Sequence, residues 1–237
     1  MNLKATAFIL IIIVAALSGC IIENENPVIT FDSDEVNFNK IEAHDSFDLY
    51  IAQGNEYFIE IRINENLRDR LTIETVGDTL LIDLDQDVVN LYENTLEATI
   101  VMPDLQAIDL SGACKATIYS GFINDTQFDC KVSGASELEG ELVTGDIELS
   151  VSGASDVNLT GGAGCAQIDV SGASDADLRD FATSDTSVLL SGASKAWVMA
   201  TGLLEGDLSG ASRLYYYGQP TLGSMHLSGA SKFEMGG

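Results

Sequence analysis

The chain has 237 residues and a formal net charge of −26, from 37 acidic against 11 basic side chains, and it is long enough to bury a substantial core. An acidic excess of this size repels polyphosphate, so the charge argues against nucleic acid and anionic membrane faces as partners; it also keeps a repetitive surface soluble. No C-x-x-C pair occurs among the four cysteines, so neither a metal nor a redox motif is present and no cofactor is expected.

Residues 1–20, MNLKATAFILIIIVAALSGC, carry one cation, Lys4, ahead of a small or apolar run from Ala5 to Leu17. That is the length of an export signal and short for a membrane span. Its end, Leu17-Ser18-Gly19-Cys20, resembles the lipobox of prokaryotic lipoproteins, which implies lipidation of Cys20. Two or three acyl chains on that residue would give durable anchoring where one would not. Residues 21–27 then form a short tether. The expected location is the cell envelope, with the protein held to a membrane by its N-terminal lipid.

Residues 28–110 alternate as strands. Phe47, Leu49 and Ile51 precede Gln53-Gly54, and Tyr57, Ile59, Ile61 and Ile63 come next; Leu71 and Ile73, then Leu80, Ile82 and Leu84, flank a turn at Gly77-Asp78. This N-terminal segment reads either as irregular first coils or as a sheet capping the repeats.

From Ser111 to the end, one phrase recurs. Ser-Gly-Ala-Ser, once Ser-Gly-Ala-Cys, starts at Ser111, Ser133, Ser152, Ser171, Ser191, Ser209 and Ser228, at intervals of 22, 19, 19, 20, 18 and 19 residues. A period near twenty without helical patterning means a solenoid with one coil per repeat. The residue before each phrase is aliphatic: Leu110, Val132, Val151, Val170, Leu190, Leu208 and Leu227. Four residues after the first Ser stand Lys115, Glu137, Asp156, Asp175, Lys195, Arg213 and Lys232, all charged and expected to face water. Identical columns require parallel stacking, so the expected fold is all-β: a single-stranded parallel β-helix with coils of 19–20 residues, right-handed by the crossover rule. Gly112, Gly134, Gly153, Gly172, Gly192, Gly210 and Gly229 mark a corner that other residues cannot turn, and the neighbouring hydroxyls can bridge coils. Cys114, Cys130 and Cys165 read as small buried residues.

Little of this points to catalysis. Asp156, Asp175 and Asp177 fall on neighbouring coils and could serve a polysaccharide-active enzyme, the alternative reading, but the charged column mixes signs, with opposite charges meeting at Lys115–Glu137 and Asp175–Lys195. The phrase serine has no repeated base beside it; the only histidines are His44 and His226. Thr160–Asp169 is glycine-rich but unrepeated, so it makes no case for calcium. Asn124 and Asn158 open glycosylation sequons. Trp197 and Tyr215 share one outward column on adjacent coils, with Tyr217 two residues on, and form a candidate binding surface for a glycan or an envelope protein. The sequence closes on KFEMGG without a capping helix, so self-association through an open C-terminal end is expected as a means of covering it.

The stretches FNKIEAHDSFDLYIAQG, LTIETVGDTLLIDL and IVMPDLQAIDLSGA, with the repeated SGAS, resemble the putative auto-transporter adhesin, head GIN domain family over about Phe38 to Lys232. That resemblance implies an exported, often lipid-anchored β-helix and brings no catalytic residues. The expectation is a non-catalytic adhesion, binding or envelope-scaffold module with a rigid acidic surface, its regular part spanning residues 111–237.

Overall fold

The computed structural model describes residues 26–85 and 94–237. The leader, the lipobox with Cys20 and all but the end of the tether lie outside the described residues.

Among the described residues there are twenty-one strands and one 3-10 turn. The N-terminal part holds β1 (Val28–Ser33), β2 (Lys40–Ala43), β3 (Asp48–Gln53), β4 (Phe58–Asn64), the turn Glu65–Arg70, β5 (Leu71–Val76), β6 (Thr79–Leu84) and β7 (Leu96–Met102). The repeats give β8 (Ala107–Leu110), β9 (Lys115–Ile123), β10 (Gln127–Val132), β11 (Glu137–Val143), β12 (Asp146–Val151), β13 (Asp156–Gly162) and β14 (Ala166–Val170). They continue with β15 (Asp175–Thr183), β16 (Thr186–Leu190), β17 (Lys195–Ala200), β18 (Leu203–Leu208), β19 (Arg213–Gly218), β20 (Thr221–Leu227) and β21 (Lys232–Met235).

Each repeat contributes one strand to each of two sheets. The eleven-stranded sheet runs β1-β4-β7-β3-β9-β11-β13-β15-β17-β19-β21, and the ten-stranded sheet runs β20-β18-β16-β14-β12-β10-β8-β2-β6-β5. From β6 and β7 onward the coils pair in parallel, with register shifts between β9 and β11, β13 and β15, β15 and β17, and β18 and β20; beside the phrase the repeat register holds, so Val132 lies on Val151 and Val151 on Val170. This is the parallel β-solenoid, with coils of about 19 residues, that the repeat predicts.

The aliphatic column ahead of the phrase is sealed in all but the last coil: Leu110, Val132, Val151, Val170, Leu190 and Leu208 are at most 1% exposed, and Leu227 is 48% exposed. Burying such a side chain stabilises a fold by roughly 1.5–3 kcal/mol, and a column repeats the gain at every coil. The corner beside it is a backbone stack. Each phrase glycine has φ between +71° and +83°, and each phrase alanine from Ala135 onward donates its N–H to the glycine carbonyl one coil back, for example Ala154 to Gly134 at 2.8 Å. A Cβ on Gly172 would lie 2.5 Å from the Gly153 carbonyl oxygen. Glycine is therefore required twice, for its torsion and for the coil spacing.

The fourth phrase residue points inward. Ser136, Ser155, Ser174, Ser194 and Ser212 are buried, and three of their hydroxyls accept hydrogen bonds between coils: the Cys114, Ser136 and Ser155 amides donate to Ser136, Ser155 and Ser174 Oγ at 3.2–3.3 Å. Cys114 takes this position in the first regular coil, its thiol pushed up to about 12 by burial. Cys130 is buried as expected, but Cys165 is exposed; it stands at the solvent-facing turn before β14, outside the alternation that predicts inward positions.

The N-terminal segment contains both coils and a cap. β2 and β3 form a coil that lies between the one made by β6 and β7 and the one made by β8 and β9. Beyond β6 and β7 the pairing turns antiparallel: β4 lies on β7, β1 on β4, and β5 on β6. After the cap strand β1 the chain thus lays down β2–β3, completes the cap and one coil on one side, and crosses at Pro103-Asp104-Leu105-Gln106 to begin the repeats on the other. Ala43 pairs with Leu110 and Asp48 with Lys115, which sets His44-Asp45-Ser46-Phe47 on Ser111-Gly112-Ala113-Cys114. This is a degenerate copy of the phrase, with Asp45 at φ 69° in the glycine position.

Candidate binding site

The outward columns of the eleven-stranded sheet hold the candidate site. Register aligns Asn158, Asp177, Trp197 and Tyr215 across β13, β15, β17 and β19, and beside them Asp156, Asp175, Lys195 and Arg213. Trp197 and Tyr215 stack with ring centroids 5.6 Å apart and planes 15° from parallel. Strand spacing alone brings identical positions on neighbouring coils to about 4.8 Å, so the ladder fixes this stack without any contribution from loops. Tyr217 aligns with Met199, and a Cβ on Gly236 would lie 2.2 Å from its ring, so Gly236 packs against that ring. Of the three predicted aromatics, Trp197 and Tyr215 form one surface and Tyr217 flanks it.

Trp197 also walls a depression of about 260 Å³ lined by Glu137, Glu139, Asp156, Asn158, Asp175 and Asp177. The sequence treats the carboxylates and the aromatics as separate features; the structure puts them at one place. Their states differ. Asp175 pairs with Lys195 at 2.9 Å, and Asp177 is held by the Arg179 guanidinium, its Nε donating at 2.9 Å to Oδ1. That hydrogen bond keeps the Asp177 carboxyl below the ordinary carboxylate range. Lys195 Nζ and Arg179 Cζ each lie 5.8 Å from the Trp197 ring centroid, so two cations lie against the indole. The site therefore sets a stacked aromatic pair beside fixed carboxylate acceptors, with the predicted Lys115–Glu137 pair, at 3.1 Å, further along the charged column.

Nothing in the sequence singles out Arg179. It sits where β15 carries extra residues, the register slipping between Leu178 and Ala182, and its signal is the long β15 repeat rather than any column.

A second polar cluster marks the degenerate corner. His44 Nδ1 lies 2.5 Å from Ser111 Oγ, and Nε2 lies 3.1 Å from Glu42. The phrase serine does therefore have a histidine partner, in the first regular coil, because His44 fills the equivalent place one coil back. Asp83, close by, has its carboxyl raised by burial, by a hydrogen bond with Asp45 and by the Asp45 charge. Glu42 is 44% exposed and lines an adjoining groove of about 350 Å³ that His44, Asp45 and Ser111 do not line. Among the described residues no group of three metal-ligating side chains occurs, and no helix is long and apolar enough to cross a membrane. Asn124 is held by Thr144 and the Leu105 carbonyl, whereas Asn158 is exposed.

Known folds agree with this architecture. A crystal structure of a protein from Bacteroides fragilis described as a putative adhesin superposes with a TM-score of 0.82 at 22% identity, covering 88% of this chain and 96% of that one. A putative adhesin from Parabacteroides merdae gives 0.68 at 18% identity, covering 91% and 98%. A protein from Parabacteroides distasonis described as a putative lipid binding protein gives 0.67 at 17% identity, covering 90% and 98%. At these identities the likeness is one of fold. Comparison with curated proteins gives no significant match. The sequence matches the family model described as "Putative auto-transporter adhesin, head GIN domain" over residues 37–220, and the chain belongs to that family.

Proposed function

We propose that this protein is an exported, non-catalytic binding module, anchored through lipid on Cys20, that holds a neutral glycan on the Trp197–Tyr215 face. The stacked pair beside the carboxylate-lined depression is the observation that carries the reading. A sugar ring offers an apolar face that stacks on an aromatic plane and hydroxyls that donate to fixed carboxylates. The surrounding acids disfavour anionic chains. Because parallel ladders hold every group, a ligand loses its own freedom on binding but the protein gives up little. Repeated weak contacts along a polymer then add through effective concentration.

Catalysis at the same place is the weaker reading. Glycoside cleavage needs one carboxyl that stays protonated near neutral pH, whereas Asp177 is pushed the other way by Arg179 and Asp175 is paired with Lys195.

The test is to pass the full chain over immobilised neutral and acidic glycans and over envelope extract. Saturable binding to a neutral glycan without depolymerisation is expected, and its loss in a Trp197→Ala, Tyr215→Ala double variant. Binding that survives the double variant, or turnover of the glycan, would overturn the reading.

A further inference from the structure

The two ends of the solenoid are built differently. At the cap end, β4, β1 and β5 turn antiparallel over the first coil, and the Arg68 guanidinium lies 4.4 Å over the Phe31 ring. At the other end, the inward positions of the last coil meet solvent. Leu222, Leu227 and Met235 are 47%, 48% and 64% exposed, whereas Leu204 and Leu208, the register partners of Leu222 and Leu227 one coil back, are 0% exposed. Met225 and Phe233 fill the space between them, half-buried. Both sheets also end here, β20 and β21 being their outermost strands, so each offers one side without a strand partner. Such edges recruit other strands unless charge or a bulge protects them.

The bulge in β20, between Leu222 and Met225, and the charges on the four-residue β21 blunt the addition of a lone strand, but little net charge keeps a second copy away. From Gln219 to Gly237 the only Asp, Glu, Lys or Arg residues are Lys232 and Glu234, in a chain of net charge −26. Two copies repel one another over the rest of their surfaces and least at this tip. A partner for the tip must present two strand edges at the solenoid's own sheet spacing with apolar side chains between them. A second copy of the chain does so by construction.

We propose that the β20–β21 tip is a self-recognition surface on which a second copy seats end to end. A two-fold axis normal to the sheets would pair β20 and β21 antiparallel with their own counterparts, closing both edges and burying Leu222, Leu227, Phe233 and Met235 from each copy in one shared core. A two-fold contact of this kind uses the same patch twice and stops at a dimer. If the N-terminus is lipid-anchored as proposed, the paired tips point away from both anchors, so the contact joins opposing surfaces: homophilic adhesion.

Sedimentation equilibrium of the full chain in detergent should give a concentration-dependent dimer. Leu227→Lys with Met235→Lys should shift it to monomer with an unchanged circular dichroism spectrum, since both side chains are already exposed, and Leu189→Lys on the outer face should leave the dimer intact. The Trp197→Ala, Tyr215→Ala double variant should still dimerise, which separates this proposal from the glycan reading. Beads carrying the chain by its N-terminus should clump, and those carrying the Leu227→Lys, Met235→Lys variant should not. A monomer at all concentrations, or open filaments, would overturn tip pairing; a dimer without bead clumping would overturn the joining of opposing surfaces.

Discussion

Replacing Gly172 by alanine isolates the contribution of the repeated phrase. Gly172 has φ +76°, and an added Cβ would lie 2.5 Å from the Gly153 carbonyl oxygen and 3.0 Å from its nitrogen. The left-handed torsion costs an L-residue about 1–2 kcal/mol. The contact adds about 1–3 kcal/mol, the usual range for forcing atoms into a filled site, because the atom met is backbone held in a parallel ladder and cannot swing away. Gly77, in the hairpin between β5 and β6, supplies the control: its φ is +67°, but a Cβ there would meet nothing within 4 Å. Gly77→Ala should therefore lose only the torsional part. In urea titrations followed by far-ultraviolet circular dichroism, Gly172→Ala should exceed Gly77→Ala by about 1–3 kcal/mol at equal slope. Asparagine tolerates the left-handed region better than alanine does, so Gly77→Asn should recover part of the loss and Gly172→Asn should not. Equal losses at the two sites would refute the claim that glycine is needed for coil spacing as well as for the turn.

Other consequences are independent of that stack. Ser155 Oγ accepts from the Ser136 amide and donates to the Ser152 carbonyl, so Ser155→Ala should cost about 1–3 kcal/mol in the same titration; Ser212 Oγ is buried with no hydrogen-bond partner, so Ser212→Ala should be neutral or stabilising. Iodoacetamide should label Cys165 in the folded chain and reach Cys114 and Cys130 only on unfolding; because the Asp146 charge, then burial, then Asp185 hold the Cys165 thiol above its ordinary value, added salt or Asp146→Asn should speed the labelling. Folding raises the Asp83 carboxyl, through burial first and then Asp45. A group raised in this way favours the fold while protonated, and that contribution is lost as pH rises through the folded value; Asp83→Asn should raise the urea midpoint at neutral pH and leave it unchanged below the ordinary carboxylate range.

The regular coils were legible because a solenoid repeats one local decision: Val132, Val151 and Val170 occupy the same place in three phrases and stack in the structure in that order. The same logic found the Lys115–Glu137 and Asp175–Lys195 pairs. It failed where a coil departs from the phrase. His44-Asp45-Ser46-Phe47 keeps the corner's backbone path with none of its residue types, so its pairing with Ser111 could not be read from composition. The position of β2–β3 between later coils was hidden for a different reason, since sequence order gives no sign that β8 returns to the far side of β2. Cys165 was misplaced because alternation governs strands and this residue lies in a turn. The site itself was half legible: outward columns predicted that Trp197 and Tyr215 share a face, but the extra residues in β15 that deliver Arg179 to the indole break the period that made prediction work.

Trp197 is the only tryptophan in the chain, so its emission reports on the proposed site alone. Titrating the full chain with the neutral glycan that binds best should give a saturable change in Trp197 fluorescence, with the same midpoint as binding measured by calorimetry. Calorimetric binding with the emission unchanged would place the ligand elsewhere and contradict the account.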